Sequence, residues 1–184
     1  MADSQLVASF DIGTRNLAYA LAEVTEDALV VRRWGLKDLG RNTGLNDVVP
    51  ALVAWLDETF PPGWDVVLIE NQIGAKMRSI QAVVATHFTA RRTRASQRVL
   101  NVTPKLKFVG IDTSGMKYPD RKAASVAFVT SLVFGDGRNA EHAAWFASHK
   151  KRDDLCDSLA QCIAHCGTAG SLKLGFECRV RLGS

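Results

Sequence analysis

The stretch VASFDIGTRNLAYA, residues 7–20, places an aspartate where an apolar run meets a glycine turn, before a second apolar run begins. Apolar runs on both sides of a short turn predict two paired strands, residues 5–11 and 17–24. A third run of the same kind, residues 28–34, follows after another short turn. The pattern therefore predicts an antiparallel meander that carries Asp11 at the end of its first strand.

The rest of the chain alternates helices with strands. Asn46 can cap a helix from about residue 47 to residue 60, which the sequence PPG at residues 61–63 ends. A fourth strand over residues 65–72, DVVLIENQ, is apolar enough to be buried on both faces. The remaining elements are a helix over residues 77–94, a fifth strand over 97–102, and helices near 120–134, 140–148 and 153–166. This order predicts an α/β fold with a five-stranded mixed sheet flanked by helices.

The length of 184 residues predicts a single domain, residues 1–184, in which residues 167–184 form a C-terminal tail. No apolar run approaches the roughly 20 residues that a membrane-spanning helix needs. The N-terminus, MADSQLV, lacks the basic and apolar regions of a signal peptide, and strand-like sequence near Leu6 leaves no room for a transit peptide. We therefore expect an intracellular protein with no membrane partner.

Basic residues are concentrated in the middle of the chain, although the net charge is only +4. Residues 71–111 contain no acidic residue and eight basic ones, namely Lys76, Arg78, Arg91, Arg92, Arg94, Arg98, Lys105 and Lys107. Such a segment is either a phosphate-binding surface or the solvated face of a helix, and charge alone does not decide between them.

Three acidic groups stand at the ends of predicted elements. Asp11 ends the first strand, Glu70 ends the fourth, and three aspartates begin the last helix, namely Asp153, Asp154 and Asp157. Each has an ordinary explanation alone, as a turn residue, a strand-end charge or a helix cap. If the first and fourth strands are neighbours, however, the carboxylates can converge, and a divalent metal relieves their mutual repulsion. Ligands that are all oxygen favour Mg²⁺ or Mn²⁺ over Zn²⁺.

Five segments occur along the chain in a characteristic order, from about residue 6 to residue 163: FDIGTRNLAYA, VVLIENQ, NVTP, YPDRKAASVAF and KKRDDLCDSLA. In this order they resemble the RuvC-like Holliday junction resolvases of the ribonuclease H superfamily. The similarity is strongest to the poxvirus and mitochondrial branch, and within it to the poxvirus type. The resemblance implies a ribonuclease H-like fold, with Asp11, Glu70, Asp154 and Asp157 as the metal-binding catalytic acids.

The resemblance also implies a reaction and its partners. The protein would be a structure-selective endonuclease with two Mg²⁺ ions per site, for which Mn²⁺ could substitute. A homodimer would nick opposite strands of a four-way DNA junction, leave 5′-phosphate and 3′-hydroxyl ends, and need no small-molecule substrate. A viral member would act in the host cytoplasm. The basic residues expected to contact DNA are Lys76, Arg78, Arg91, Arg92, Arg94, Lys122, Lys150 and Lys151.

The sequence departs from the family in one place. The bacterial branch has an aromatic residue just after the catalytic glutamate that helps to open the junction, whereas Asn71, Gln72 and Ile73 follow Glu70 here.

The sequence is also compatible with three rival functions. FDIGTRN resembles the phosphate loop of sugar kinases and actin-like ATPases, although the chain is too short for their duplicated pair of domains. The second rival is a non-catalytic nucleic-acid-binding protein, and the third is a ribonuclease H-fold nuclease that acts on RNA.

The neighbouring residues Asp153 and Asp154 pose a choice of metal ligand. Their helical spacing from Asp157 does not distinguish them. If the helix starts here, Asp153 is the natural N-cap, with its carboxylate turned toward free backbone N–H groups. Capping therefore predicts Asp154 as the ligand, as the resemblance does.

Overall fold

Five strands form a mixed sheet in the order β3-β2-β1-β4-β5 in the computed structural model, which describes residues 4–13, 15–40 and 43–168. The strands are β1 (Gln5–Ile12), β2 (Asn16–Val24), β3 (Leu29–Asp38), β4 (Val66–Glu70) and β5 (Arg98–Val102). β1 pairs antiparallel with β2, and β2 with β3, whereas β4 lies parallel to both β1 and β5. The expected five-stranded mixed sheet flanked by helices is confirmed.

Helices cover both faces of this sheet. They are α1 (Leu45–Thr59), α2 (Ala75–Ala90), α3 (Tyr118–Phe134), α4 (Ala143–Ser148) and α5 (Arg152–Thr168), with two single-turn 3₁₀ helices, Leu106–Phe108 and Ala140–His142. α1 and α2 pack on one face, while α3 and α5 pack together on the other. No helix in the described ranges is long and apolar enough to cross a membrane.

Strand β4 is buried along its whole length, as its apolar sequence predicted. Val66 and Leu68 belong to the core on the side of α5, and Val67 and Ile69 belong to the core on the side of α2. Because side chains alternate along a strand, Glu70 continues the series that faces α5. The strand therefore delivers its terminal carboxylate to the α5 side of the sheet.

The turn after β1 explains the glycine of the opening motif. The amide of Gly13 donates to the carbonyl of Asn16 at 2.9 Å, which closes the turn into β2. A Cβ atom at Gly13 would lie 2.6 Å from the same carbonyl oxygen, so no other residue fits without moving the backbone. The tight turn fixes the end of β1, where Asp11 lies.

Several predicted boundaries shift by a few residues. Helix α1 begins at Leu45 with Gly44 as its N-cap, so the expected capping role of Asn46 is wrong. Strand β4 ends at Glu70 rather than at Gln72, and the amide of Gln72 donates to the side-chain oxygen of Gln81 on α2 at 2.9 Å instead of to a strand. Residues 167–168 belong to α5, and the rest of the predicted tail lies outside the described residues.

Candidate carboxylate active site

The parallel pairing of β1 and β4 brings two carboxylates to one edge of the sheet. Phe10 pairs with Ile69, so the next residues along the two strands, Asp11 and Glu70, lie side by side. Paired residues of parallel strands project to the same face. Glu70 is only 6% exposed. The two strand-end acids therefore form a partly buried pair on the face that α5 covers, as the sequence predicted.

Helix α5 is fixed to these strands by Gln161, a fully buried polar side chain. Its amide nitrogen donates to Glu70 Oε2 at 2.8 Å, and its oxygen accepts from the hydroxyl of Ser9 at 3.1 Å. One helical turn earlier lies Asp157, which faces the same strand ends. The glutamine therefore sets both the orientation of Glu70 and the position of α5 against the sheet.

Lys107 joins the acids from the loop after β5. Its ammonium lies 2.6 Å from Asp157 Oδ2 and 3.3 Å from Glu70 Oε2. Burial alone would lower the pKa of Lys107, but the carboxylates of Asp11, Asp157 and Glu70 outweigh burial and raise that pKa. The lysine therefore remains charged and bridges the strand acid to the helix acid.

Sequence reasoning missed Lys107 as a site residue. It counted this lysine only as part of the basic segment, because no helical or strand periodicity marks residues 103–117. The available signal was its position shortly after β5, the neighbour of β4 at the same edge of the sheet.

The carboxylates carry more negative charge than Lys107 offsets. Burial raises the pKa of Asp11 to about 7, and the charges of Glu70, Asp157 and Asp154 add to this effect while Lys107 opposes it. Burial also raises the pKa of Asp157, against the opposing charge of Lys107. Because an aspartate of this site holds its proton near neutral pH, additional positive charge would stabilise the site.

The donor set fits a divalent metal ion that prefers oxygen ligands. Asp11, Glu70, Asp154 and Asp157 offer carboxylate oxygens only, which suits Mg²⁺ or Mn²⁺. Within the described ranges, however, no three His, Cys, Asp or Glu side chains are already grouped to hold a metal ion. Lys107 lies between Glu70 and Asp157 and contacts both carboxylates.

The structure separates the two neighbouring aspartates at the start of α5. The helix begins at Arg152, so Asp153 lies inside the first turn and the expected N-cap assignment is wrong. The carboxylate of Asp153 instead pairs with Lys122 on α3. Asp154 makes an ion pair of 3.3 Å with the exposed Lys151 and contributes to the raised pKa of Asp11. Asp154 therefore remains the aspartate of this pair that acts on the cluster.

The predicted DNA-binding residues divide between two edges of the sheet. Five belong to the carboxylate edge by their position in the fold: Lys76 and Arg78 in the first turn of α2, which follows β4, Lys122 beside Asp153, and Lys150 and Lys151 just before α5. The ammonium of Lys76 donates to the carbonyl of Thr43 at 2.8 Å.

The other three predicted DNA-binding residues lie at the opposite edge of the sheet, the far edge, where β4 begins: Arg91, Arg92 and Arg94. Arg94 pairs with Asp65 at 3.1 Å, and Arg91 pairs with Asp57 at 2.7 Å. Arg92 donates to the carbonyl of Ala95 at 3.1 Å. The five-residue strand β4, about 16 Å long, separates this edge from Glu70. The structure does not bring these arginines to the acids.

Comparison with known proteins shows which solved structures share this fold and which family includes this chain. Residues 5–166 match the family model described as Poxvirus A22 protein. The crystal structure of the fowlpox virus Holliday junction resolvase is 19% identical, with a TM-score of 0.62 over 90% of this chain and 99% of that chain. The fowlpox virus resolvase in complex with substrate Holliday junction DNA is 18% identical, with a TM-score of 0.58 over 90% and 99%.

The Thermus thermophilus RuvC structure is 13% identical, with a TM-score of 0.60 over 91% of this chain and 98% of that chain. No curated protein matches the chain. The structural likenesses confirm the expected ribonuclease H-like fold of the RuvC type. Because the family model covers nearly the whole described sequence, the expected poxvirus relationship is also confirmed, and the chain belongs to the Poxvirus A22 protein family.

Proposed function

We propose that this protein is a Holliday junction resolvase, an endonuclease that depends on a divalent metal and cuts four-way DNA junctions. The observation that carries the proposal is the convergence of Asp11, Glu70 and Asp157 around Lys107 at one edge of the sheet. Membership in the Poxvirus A22 protein family supports it, as does the likeness to a fowlpox virus resolvase bound to Holliday junction DNA.

The four acids Asp11, Glu70, Asp154 and Asp157 would hold the metal. Two Mg²⁺ ions, for which Mn²⁺ could substitute, would lower the pKa of an attacking water and offset charge on the leaving 3′ oxygen. Asp11 would then be ionised, since added positive charge would lower its pKa from about 7. Gln161 holds Glu70 through the 2.8 Å hydrogen bond and so orients one ligand oxygen.

Lys107 has a separate role in this proposal. Its ammonium keeps Glu70 and Asp157 together despite their repulsion. With the carboxylates engaged in metal binding, the ammonium would be available to contact an oxygen of the phosphate that is cut. A lysine so placed stabilises the charge that the phosphate gains in the transition state.

The DNA would approach the edge of the sheet where the acids lie. Lys76, Arg78, Lys150 and Lys151 stand at that edge and would contact backbone phosphates. One site can reach one strand, so symmetric resolution requires a homodimer with two sites on opposite strands. The products would carry 5′-phosphate and 3′-hydroxyl ends. If the protein is viral, this reaction would take place in the host cytoplasm.

The test compares three labelled substrates of matched sequence: a four-way DNA junction, a linear duplex and an RNA–DNA hybrid. Each is incubated with the protein in Mg²⁺, Mn²⁺, Ca²⁺ or EDTA, and the products are mapped on a sequencing gel. Paired nicks in the junction alone, dependent on Mg²⁺ or Mn²⁺, support the proposal. Cleavage confined to the hybrid would identify a nuclease that acts on RNA, and no cleavage of any substrate would refute both.

A further inference from the structure

Three exposed apolar side chains lie on segments that adjoin residues of the carboxylate site. In the described ranges, three large hydrophobic side chains are exposed: Ile73 at 90%, Tyr118 at 61% and Val109 at 39%. Ile73 lies three residues after Glu70, and Val109 lies two residues after Lys107. Tyr118 begins the helix that carries Lys122, the partner of Asp153. Single exposed apolar residues are normal on protein surfaces, so the contacts of each decide its role, and among the three Tyr118 contacts a charged side chain that also pairs with α5.

The ammonium of Lys122 contacts both Tyr118 and an acidic residue of α5. Lys122 follows Tyr118 by one helical turn, and the ammonium of Lys122 lies 5.2 Å from the centroid of the tyrosine ring. The same ammonium pairs with Asp153, which adjoins the proposed metal ligand Asp154. A cation over a ring face holds the ring in place by cation–π attraction. The tyrosine is therefore held near the acids although most of its surface is exposed.

The surroundings of Tyr118 favour a nucleic acid over an apolar protein surface. Lys117 precedes the tyrosine and is exposed, and Lys122 lies against the ring. An aromatic ring among cations is the combination that binds single-stranded nucleic acid, since the cations attract phosphates and the ring stacks on a base. Bases inside a continuous duplex have no free face to offer, whereas bases at a branch point can unstack.

We propose that Tyr118 stacks on an unpaired base beside the phosphate held at the carboxylates. The tyrosine would thereby favour binding to junctions, whose strands are opened at the crossover, and disfavour binding to continuous duplex. This inference rests on the proposed resolvase function and adds a residue that determines substrate specificity.

The experiment measures binding in EDTA to a four-way DNA junction and to a linear duplex with the same arm sequences. Tyr118→Ala should weaken junction binding about tenfold and leave duplex binding unchanged, since stacking on one base is lost. Tyr118→Phe keeps the ring and should bind the junction within about twofold of the wild type. Lys117→Ala is the matched control, a neighbouring exposed residue whose loss should weaken both substrates equally.

A second measurement locates the contact. Iodouracil replaces thymine at each position that flanks the crossover, and ultraviolet light cross-links it to a stacked aromatic residue. Mass spectrometry should find the adduct on Tyr118 with the junction and not with the duplex.

Equal junction binding by Tyr118→Ala and the wild type would overturn the inference, and so would equal losses in the alanine and phenylalanine variants. Equal weakening of junction and duplex by Tyr118→Ala would also overturn it. Failure of the resolvase function gives a different result, namely a wild-type protein that cuts no junction in Mg²⁺. Binding in EDTA still tests the inference in that case. A wild type that binds the junction no more tightly than the duplex would refute it.

Discussion

The ammonium of Lys107 lies 2.6 Å from the carboxylate of Asp157, which joins the loop after β5 to the helix that carries two of the proposed metal ligands. The same ammonium reaches Glu70 at 3.3 Å. A partly buried cation therefore links the acid of β4 to the acid of α5, beside the hydrogen bonds that Gln161 makes.

Lys107→Ala should destabilise the protein by about 3 kcal/mol in EDTA at pH 7.5, because it leaves buried carboxylates without their partner. Mg²⁺ should restore much of this loss by supplying the missing positive charge. The matched control is Lys151→Ala, which removes an exposed ion pair with Asp154 and should cost less than about 1 kcal/mol. Urea unfolding measures both, and equal effects of the two variants would contradict the proposed role of Lys107.

Asp11→Asn should make stability less dependent on pH. The pKa of Asp11 is raised to about 7 in the folded protein from 3.8, so the folded state holds a proton that the unfolded state releases. Its ionisation therefore lowers stability progressively as pH rises from about 4 to 7. In EDTA, we expect the loss in stability of the wild type between pH 5 and pH 8 to exceed that of the variant by about 2 kcal/mol. Identical pH profiles in urea unfolding would show that Asp11 ionises normally.

Gln161→Ala should reduce the rate of junction cleavage about 10- to 100-fold and raise the Mg²⁺ concentration needed for half-maximal rate, because Glu70 loses its orienting hydrogen bond. Ser9→Ala removes only the hydrogen bond on the other side of the glutamine and should have a smaller effect. A change in rate without a shift in metal dependence would mean that the glutamine does not act through Glu70.

Asp153→Asn should keep most cleavage activity, whereas Asp154→Asn should keep the fold and lose cleavage. The reason lies in their partners: Lys122 of α3 engages Asp153, while Asp154 pairs with the exposed Lys151 and can turn to a metal ion. Cleavage rates in saturating Mg²⁺ and thermal melts of both variants provide the check. The opposite pattern would assign Asp153 as the ligand.

Replacing Lys76 and Arg78 by alanine should flatten the salt dependence of junction binding. Each lost phosphate contact changes the log–log slope by about 0.9 for duplex DNA. Arg91→Ala with Arg94→Ala is the matched pair at the far edge. It should change the slope little because the carboxylates of Asp57 and Asp65 offset the charge of both arginines, whereas Lys76 donates to an uncharged carbonyl. A larger effect of the far pair would place the DNA along α2 as a whole.

The strand-end acids were predictable because the sequence carries the relevant signals locally. An apolar run that ends in a carboxylate marks both Asp11 and Glu70, and parallel pairing then forces the two together. Lys107 lacked such a signal, since its partner Asp157 is 50 residues away and its loop has no periodicity.

The pairing of far-edge arginines was unpredictable for a similar reason. Arg91 and Arg94 belong to a segment without acidic residues, and their partners Asp57 and Asp65 lie before that segment. Charge counted along the sequence therefore overstated the free positive charge of this region. The capping role given to Asp153 failed because α5 begins at Arg152, and a shift of one residue moves a side chain from a cap into the first turn.

The hydrogen bond from Gln161 to Glu70 spans 91 positions of the chain, and α5 is the last helix of the described fold. A nascent chain that has left the ribosome only as far as α4 carries Asp11 and Glu70 but neither Asp154 nor Asp157. It also lacks the ten buried residues that α5 adds to the core. The order of synthesis therefore delays assembly of the acids until α5 has emerged, so chains terminated before this helix would hold an incomplete and inert site.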